Sequence, residues 1–377
     1  MIRRAAFIYG DKLADHVLSE THPMKPVRLR YTYQLLQAYD AFGSTVSEVT
    51  EPRLATEDEV LRFHTRPYLD AVKAASECEH PDYQAEFGMG SGDNPVYAGM
   101  YEAAGLSTGA SLKGAQMLAS GEMNAVFNIS GGLHHAMPGY ASGFCLFNDP
   151  VLAIMELQSR GMKVAYVDVD CHHGDGVQHA FYDTSQVLTI SMHESGKFLF
   201  PGTGFTSEVG TGQGLGYSVN VPLYPYTTDD IYYWAFGEVV EPLIEAFRPD
   251  VLVTQLGIDS HFLDPITHLA LTVQGFGRIV EKLSRFASLW LALGGGGYDL
   301  QVVARAWTLA YSKMTDQEFA QELPTSYAER HHISKLMDPQ EPLIKDSIRK
   351  EAQIFAEDSV RSIQQMVFPI HGITSGG

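Results

Sequence analysis

Short apolar runs recur along the chain, and nearly every one is followed by a Gly- or His-containing loop and then by an amphipathic stretch. Runs at 4–8 (RAAFI), 124–129 (NAVFNI), 163–168 (KVAYVD), 187–192 (VLTISM), 251–256 (VLVTQL) and 289–293 (LWLAL) predict strands. Stretches at 27–42, 56–64, 100–120, 149–160, 228–247, 272–287 and 301–314 predict helices, with a surface helix at 344–367. Thr56 followed by Glu59 has the form of a capping box. Strand and helix in alternation predict an α/β fold with a mainly parallel sheet and helices on both faces. Ligands of such sheets bind beyond the carboxyl ends of the strands. Chemistry is therefore expected in the loops after 129, 168, 192, 256 and 293.

A size of about 150 residues per domain would suggest two domains. A large α/β sheet can run longer as one unit, and the 377 residues hold neither an internal repeat nor a low-complexity linker. A single domain over 1–377 is expected, with about 316–377 as a helical extension packed on it. The net charge of −19 comes without a Lys/Arg-rich run. That argues against direct nucleic-acid binding and favours cationic ligands such as lysine-rich peptides or polyamines. Cys78, Cys145 and Cys171 are too few and too scattered for a disulfide framework and suit a reducing compartment. MIRRAAFIYGDK reads as a first strand and not as a signal peptide. No apolar run approaches the roughly 20 residues of a membrane helix. A cytoplasmic protein with no membrane partner is expected.

YVDVDCHHGDGVQH (166–179) leaves its strand with Asp168, Asp170 and His172 at alternate positions, on one side of an extended backbone. Asp170 and His172 can then converge on one cation. A solvated polar loop is the bland alternative, but Asp and His massed directly after an apolar strand are hard to explain as packing. Buried charge is costly unless paired or metal-bound. Asp259, in LGIDSHFLDP, would by itself more often be a helix cap. Beside Asp170 and His172 it is the natural third ligand, and such a trio leaves room for water and substrate.

GGLHHAMPGYASGFCLFND (131–149) sets His134 and His135 after the second strand. Adjacent side chains on an extended chain diverge, so both need not ligate one metal. One or both could transfer protons near neutral pH, or they could be a second pair of metal ligands. A histidine base wants an orienting carboxylate, and Asp168 and Asp175 are the candidates. Cys145 and Cys171 could bind metal, but the carboxylates leave them unneeded, and both read as small packed residues. GGGGY (294–298) permits close backbone approach. It lacks the Lys-Ser/Thr pair of a P-loop and the spacing of GxGxxG, so phosphate cradling is the weaker reading. The other is a loop that holds Tyr298 over the metal, its hydroxyl donating to a developing oxyanion.

Together these segments resemble the arginase/deacetylase superfamily, and within it the zinc-dependent histone deacetylases and their bacterial acetoin-utilization relatives. The resemblance runs from about His22 to about Leu309. It rests on HPMKPVRLR, GGLHHA, ASGFCLFND, YVDVDCHHGDGVQHAFYD, FPGTG, YSVNVP and LGGGGYDLQVVARAWT. The first of these looks like the class I eukaryotic form. The resemblance implies the arginase/deacetylase fold, a single α/β domain around a roughly eight-stranded sheet. It implies hydrolysis of the amide of acetyl-lysine in a protein or peptide, giving acetate and a free amine. The implied metal ligands are Asp170, His172 and Asp259. The tandem histidines are His134 and His135, the second as base and acid, with Asp168 and Asp175 as their carboxylate partners. Tyr298 is the implied transition-state tyrosine. Phe144 and Phe200 match the walls of an acyl-lysine tunnel, with Gly143 beside them. Asp93 matches the rim acid that holds the substrate backbone, Ile266 an apolar rim residue, and Arg28 the arginine of an acetate-release cavity. Structural K⁺ or Na⁺ ions are implied at an inner site (Asp168, Asp170, His172, Ser191, Met192) and an outer one (Phe181, Thr184, Val187, Tyr217).

Zn²⁺ is the implied metal. Two carboxylates with one imidazole are a harder set than most zinc sites, so Fe²⁺, Mn²⁺ or Co²⁺ could replace it. The chain departs from the eukaryotic pattern at the inositol-phosphate corepressor site. Lys25 fits it, but Ile266 and its neighbours supply no arginine, and Gln301 stands where another is expected. That puts the corepressor site in doubt. With no long charged C-terminal tail, the pattern favours a stand-alone bacterial or archaeal enzyme. Three readings compete. An acetylpolyamine amidohydrolase would share the chemistry, but Asp93, able to accept backbone amides, tilts toward peptides. A ureohydrolase with two manganese ions is opposed by His134-His135 and GGGGY. A non-catalytic acyl-lysine reader is opposed by the presence of all three ligands, both histidines and the tyrosine.

Overall fold

The computed structural model describes residues 4–43, 46–77, 85–90, 92–286 and 288–374; Cys78 lies outside them. The strands are β1 (Ala5–Ile8), β2 (Ser47–Thr50), β3 (Ala125–Asn128), β4 (Val164–Asp168), β5 (Val187–Glu194), β6 (Ser218–Leu223), β7 (Val251–Gln255) and β8 (Leu289–Leu293). They form one eight-stranded sheet in the order β2-β1-β3-β8-β7-β4-β5-β6. Every neighbouring pair is parallel, so the sheet is wholly and not just mainly so. The six predicted strands are the apolar runs. The two not predicted, β2 (SEVT) and β6 (SVNVPL), are the edges. An edge strand needs no continuous apolar run, and it is the place where a strand tolerates a residue such as Pro222.

Side chains alternate between two cores, as the period of a strand requires. Phe7, Phe127 and Val167 face one core, built with Leu243, Ile279 and Trp307. Ile8, Val126 and Tyr166 face the other, built with Leu118, Ile154 and Val177. Predicted helices occur at Val27–Ala38, Met100–Ala119, Asp149–Ser159, Asp229–Phe247, Val273–Leu283, Leu300–Thr315 and Asp346–Met366. The helix expected over 56–64 is one turn, Glu57–Val60, although the Thr56–Glu59 capping box does form. Residues 61–65 turn away from it, and a separate helix, Arg66–Glu77, follows with Pro67 in its first turn, where the missing N–H costs no hydrogen bond. Helices Asp175–Phe181 and Thr325–His331 are further additions. Helix Asp346–Met366 lies against β6 and helix Asp229–Phe247, with Ser359 Oγ donating to Pro222 O at 2.8 Å. Among the described residues no helix is long and apolar enough to cross a membrane.

The topology gathers the loops that matter. β3, β8, β7 and β4 are consecutive in the sheet, so four segments far apart in sequence leave it side by side. Asn128, Leu293, Gln255, Asp168 and Ser191 share one register row at or near the strand ends. The chemistry begins immediately beyond that row.

Candidate active site

Past the end of β4 the chain carries Asp170 and His172, and the loop after β7 brings Asp259 to them. Ligand-capable atoms of the three lie within 4.8 Å of one another, and all three residues are buried. His172 Nδ1 stands 3.2 Å from Asp170 Oδ1 and 2.9 Å from Asp259 Oδ2. The remaining carboxylate oxygens are also engaged. Asp170 Oδ2 accepts from Gln255 Nε2 (2.6 Å) and Gly296 N (2.7 Å), and Asp259 Oδ1 accepts from Cys171 N (2.8 Å). A Cβ on Gly296 would fall 2.1 Å from Asp259 Oδ2, so only glycine lets that amide come so close. Two buried carboxylates around one imidazole call for a cation. Burial alone would lower the pKa of His172, but hydrogen bonds to Asp170 and Asp259 and their charges raise it to about 10. That proton balances charge that a metal ion would balance instead. One nitrogen and two carboxylate oxygens are a donor set that fits a divalent ion.

Asp168 does not join the trio. His134 Nδ1 lies 2.7 Å from Asp168 Oδ2, and His135 Nδ1 lies 2.7 Å from Asp175 Oδ1. The Nε2 atoms of the two rings are 3.0 Å apart. Burial would lower both histidines. At His134 the charges of Asp168 and Asp170 outweigh it and raise the pKa to about 9. At His135 burial and the charge of His134 win, and the pKa falls to about 4. Near neutral pH the pair therefore offers one protonated ring and one neutral acceptor. The turn before them is built on Asp149, which accepts from Gly132 N, Leu133 N and Ser111 Oγ.

A pocket of ≈ 670 Å³ opens over this floor, lined among others by Asp93, His135, Gly143, Phe144, His172, Phe200, Ile266 and Tyr298. Ser142 and Cys145 exchange backbone bonds across Gly143 and Phe144, which have φ of 52° and 70°. Positive φ at both central residues is the mark of a type I′ turn. A Cβ on Gly143 would sit 2.4 Å from the His135 ring, so glycine is required there. Phe144 accepts the left-handed conformation at a cost of about 1–2 kcal/mol, and its ring meets Tyr298 edge-on at 5.7 Å. Phe200 packs on His135 at 5.0 Å. His22 Nδ1 accepts from Met24 N, so Nε2 carries the proton and donates to Asp93 O at 3.1 Å. Burial, with the charges of Asp259 and Asp170, pushes the Tyr298 hydroxyl well above its ordinary pKa and keeps it a donor.

Residues 22–314 match the family model of the histone deacetylase domain. The chain belongs to the histone deacetylase family. It is 40% identical over 338 residues to an acetoin utilization protein AcuC of Bacillus subtilis, covering 86% of each chain. It is 38% identical over 325 residues to histone deacetylase HDAC1 of Drosophila melanogaster, covering 85% of this chain and 62% of the fly protein. A solved HDAC homologue complexed with SAHA superposes with a TM-score of 0.86 at 30% identity, covering 95% of this chain and 100% of that one. An HDAC homologue from Aquifex aeolicus superposes at 0.85 with 29% identity and the same coverage.

In this deacetylase-family chain Arg28 is buried against Trp307, its guanidinium 5.1 Å from the ring, and Nη1 donates to Gly297 O at 2.8 Å. It lines a second cavity of ≈ 100 Å³ with Met24 and Leu133. Of the residues matched to the inner monovalent site, Asp168 pairs in register with Ser191, whose hydroxyl engages His193 Nδ1 at 2.8 Å. Of those matched to the outer site, Thr184 N donates to Phe181 O at 3.4 Å, and Val187 opens β5. Tyr217 approaches through Gly214, which packs on the backbone of Tyr182–Thr184. Lys25 bonds to Glu20 O, and Gln301 bonds to His331 O. Cys145 and Cys171 are free and buried. Sequence reasoning did not single out Gln255, Tyr166 (whose hydroxyl donates to Asp168) or Asp149. Gln255 closes an apolar strand and Asp149 an apolar motif, which is their signal, whereas Tyr166 sits within its strand and carries none.

Proposed function

We propose that this chain hydrolyses the amide bond of acetyl-lysine in proteins or peptides, releasing acetate and the free amine. The observation that carries the reading is one pocket floor where a candidate metal trio, two His–carboxylate pairs and Tyr298 converge. Asp170, His172 and Asp259 would hold the ion, Zn²⁺ by family resemblance, with Fe²⁺, Mn²⁺ or Co²⁺ as chemical alternatives. When bound, the ion supplies Lewis-acid polarisation of the carbonyl and makes water acidic near neutral pH. His135, neutral and held by Asp175, accepts the proton of the attacking water. The Tyr298 hydroxyl donates to the carbonyl oxygen as it gains charge. A proton then passes from the histidine pair to the departing nitrogen as the C–N bond breaks. Phe144 and Phe200 flank the aliphatic stem, and Gly143 lets His135 come close. Asp93, free at the mouth, accepts backbone amides, which favours a peptide over an acetylpolyamine. Ile266 supplies apolar rim surface, and Arg28 faces the inner cavity through which acetate would leave. K⁺ or Na⁺ at the matched backbone positions would be structural. We place one domain over 1–377, with 316–377 packed on it, in the cytoplasm.

A panel of acetyl-lysine peptides and acetylpolyamines, run on purified protein with bound metal measured, tests the reading. Acetate release from peptides, lost on chelation and restored by Zn²⁺, is expected. Cleavage of polyamines alone would move the substrate to that class. Two stoichiometric transition metals per chain would point to ureohydrolase chemistry.

A further inference from the structure

Four consecutive glycines precede Tyr298. Gly295 and Gly297 take φ of 125° and 130°, a region other residues rarely adopt. Such a loop has no side chains to pack, and glycine loses more conformational freedom on ordering than any other residue. The place of the Tyr298 hydroxyl is therefore set by whatever grips the loop's peptide groups. Leu256 N and Ile258 N donate to Gly294 O and Gly296 O at 2.9 and 3.0 Å. Gly296 N donates to Asp170 at 2.7 Å. The last peptide unit, Gly297–Tyr298, is held at both poles. Arg28 Nη1 donates to Gly297 O at 2.8 Å, and Tyr298 N donates to Asp264 Oδ2 at 2.9 Å. The Arg28 cation at the carbonyl and the Asp264 acceptor oxygen at the amide match the two poles of that peptide. The other Asp264 oxygen accepts from Ile266 N at 3.1 Å. One carboxylate thus ties the β8 loop to the β7 loop directly behind two pocket-lining residues.

We propose that Asp264 is a positioning residue for Tyr298, fixing the Gly297–Tyr298 peptide opposite Arg28 and so holding the tyrosine ring against Phe144. The consequence for turnover rests on the role given above to Tyr298; the consequence for the ring's position does not. A carboxylate that only shapes its own turn at Asp264–Ile266 would leave the tyrosine unmoved.

The experiment compares D264A, D264N, Y298F and D264A/Y298F as metal-loaded full-length proteins. With an acetyl-lysine peptide, D264A should lower kcat about 10- to 100-fold, the scale of a misplaced reacting group. KM should stay within about twofold and metal content should match wild type. D264N keeps one oxygen for Tyr298 N but turns its NH2 toward Ile266 N, so it should recover part of the loss. In the Y298F background, adding D264A should cost less than about twofold, because the residue it positions is already silenced. An undiminished loss in the double variant would overturn the proposal. Independently of turnover, a fluorotyrosine placed at 298 should give a shifted or broadened ¹⁹F resonance in D264A that D264N moves back toward wild type. An unchanged resonance would also overturn it. Should D264A fail to fold, D264S is read in its place, its hydroxyl too short to reach Tyr298 N. A wild-type protein that releases no acetate sinks the hydrolysis reading, while the ¹⁹F comparison still decides the role of Asp264.

Discussion

The floor of the pocket and its rim stand on the same sheet but are built on different terms. At the floor, chemistry-bearing side chains are braced by others. Asp170 is held by Gln255 and Gly296, Asp259 by Cys171 N, His134 by Asp168 and His135 by Asp175. At the rim, Asp93 is exposed and Phe200 is 42% exposed. The hold on Asp93 is on its backbone, through His22. A braced floor leaves few geometries open, so a change there should remove chemistry. A loosely held rim should instead re-rank substrates, as loops on a rigid scaffold do.

The largest effect is expected at the trio. Asp259→Asn or Asp170→Asn should strip the ion and cost at least about a thousandfold in kcat/KM, since the ion is worth several kcal/mol of charge stabilisation. Metal content by elemental analysis checks it. A variant that keeps both metal and turnover would remove that residue from the trio. Tyr298→Phe comes next, with a loss of about 10²–10³ in kcat and metal retained. Those two outcomes separate holding the ion from acting beside it. His135→Ala should cost about 10²–10⁴. His134→Ala should cost less, because His135 lines the pocket whereas His134 stands behind it on the fully buried Asp168. The reverse ranking would exchange the roles assigned to the two rings.

At the rim the expected effect is smaller and selective. Asp93→Ala should raise KM for an acetyl-lysine peptide about tenfold, the worth of a charge-assisted hydrogen bond or two. It should raise KM less for an acetylated diamine that has no backbone amides. Equal losses on both substrates would mean that Asp93 supports the pocket and does not read the peptide.

The same contrast governs what could be read from the sequence. The floor lies in contiguous segments, each directly after an apolar run, so residue type and spacing located it before any coordinates. The pairing of acids with histidines was not legible, because Asp168 and Asp175 are both near in sequence and only the fold decides which ring meets which. Gln255 was missed because it matters only through Asp170, which the topology brings to it, and Tyr166 because a tyrosine within an apolar strand reads as core although its partner Asp168 is two residues on. Asp264 stood within LGIDSHFLDP, but its partner Tyr298 is on another loop. The edge strands β2 and β6 lack the apolar run that marked the others. Asp93 follows no strand and forms no pattern of its own, so family resemblance alone pointed to it.

Behind the floor lies one more histidine, and its expected effect is on stability and its pH dependence. His64 is buried, and its Nε2 accepts from Asn148 N at 3.0 Å. Asn148 in turn donates to His134 O and Ala136 O at 3.2 and 2.9 Å. Burial lowers the pKa of His64 to about 4. In the unfolded chain it would titrate near about 6.5. A folded-state pKa below the unfolded one means that unfolding takes up a proton between those values. The contribution is complete above about pH 6.5 and is lost as pH falls toward 4, by at most about 3 kcal/mol. Urea unfolding at pH 7, 5.5 and 4.5 measures the slope. His64→Gln should flatten it by up to one proton, about 1.4 kcal/mol per pH unit. Other buried histidines also contribute to the wild-type slope, so the difference between His64→Gln and wild type is the quantity that isolates this group. A His64→Gln slope equal to wild type would place the acid sensitivity in other groups and free the Asn148 contact from the protonation of His64.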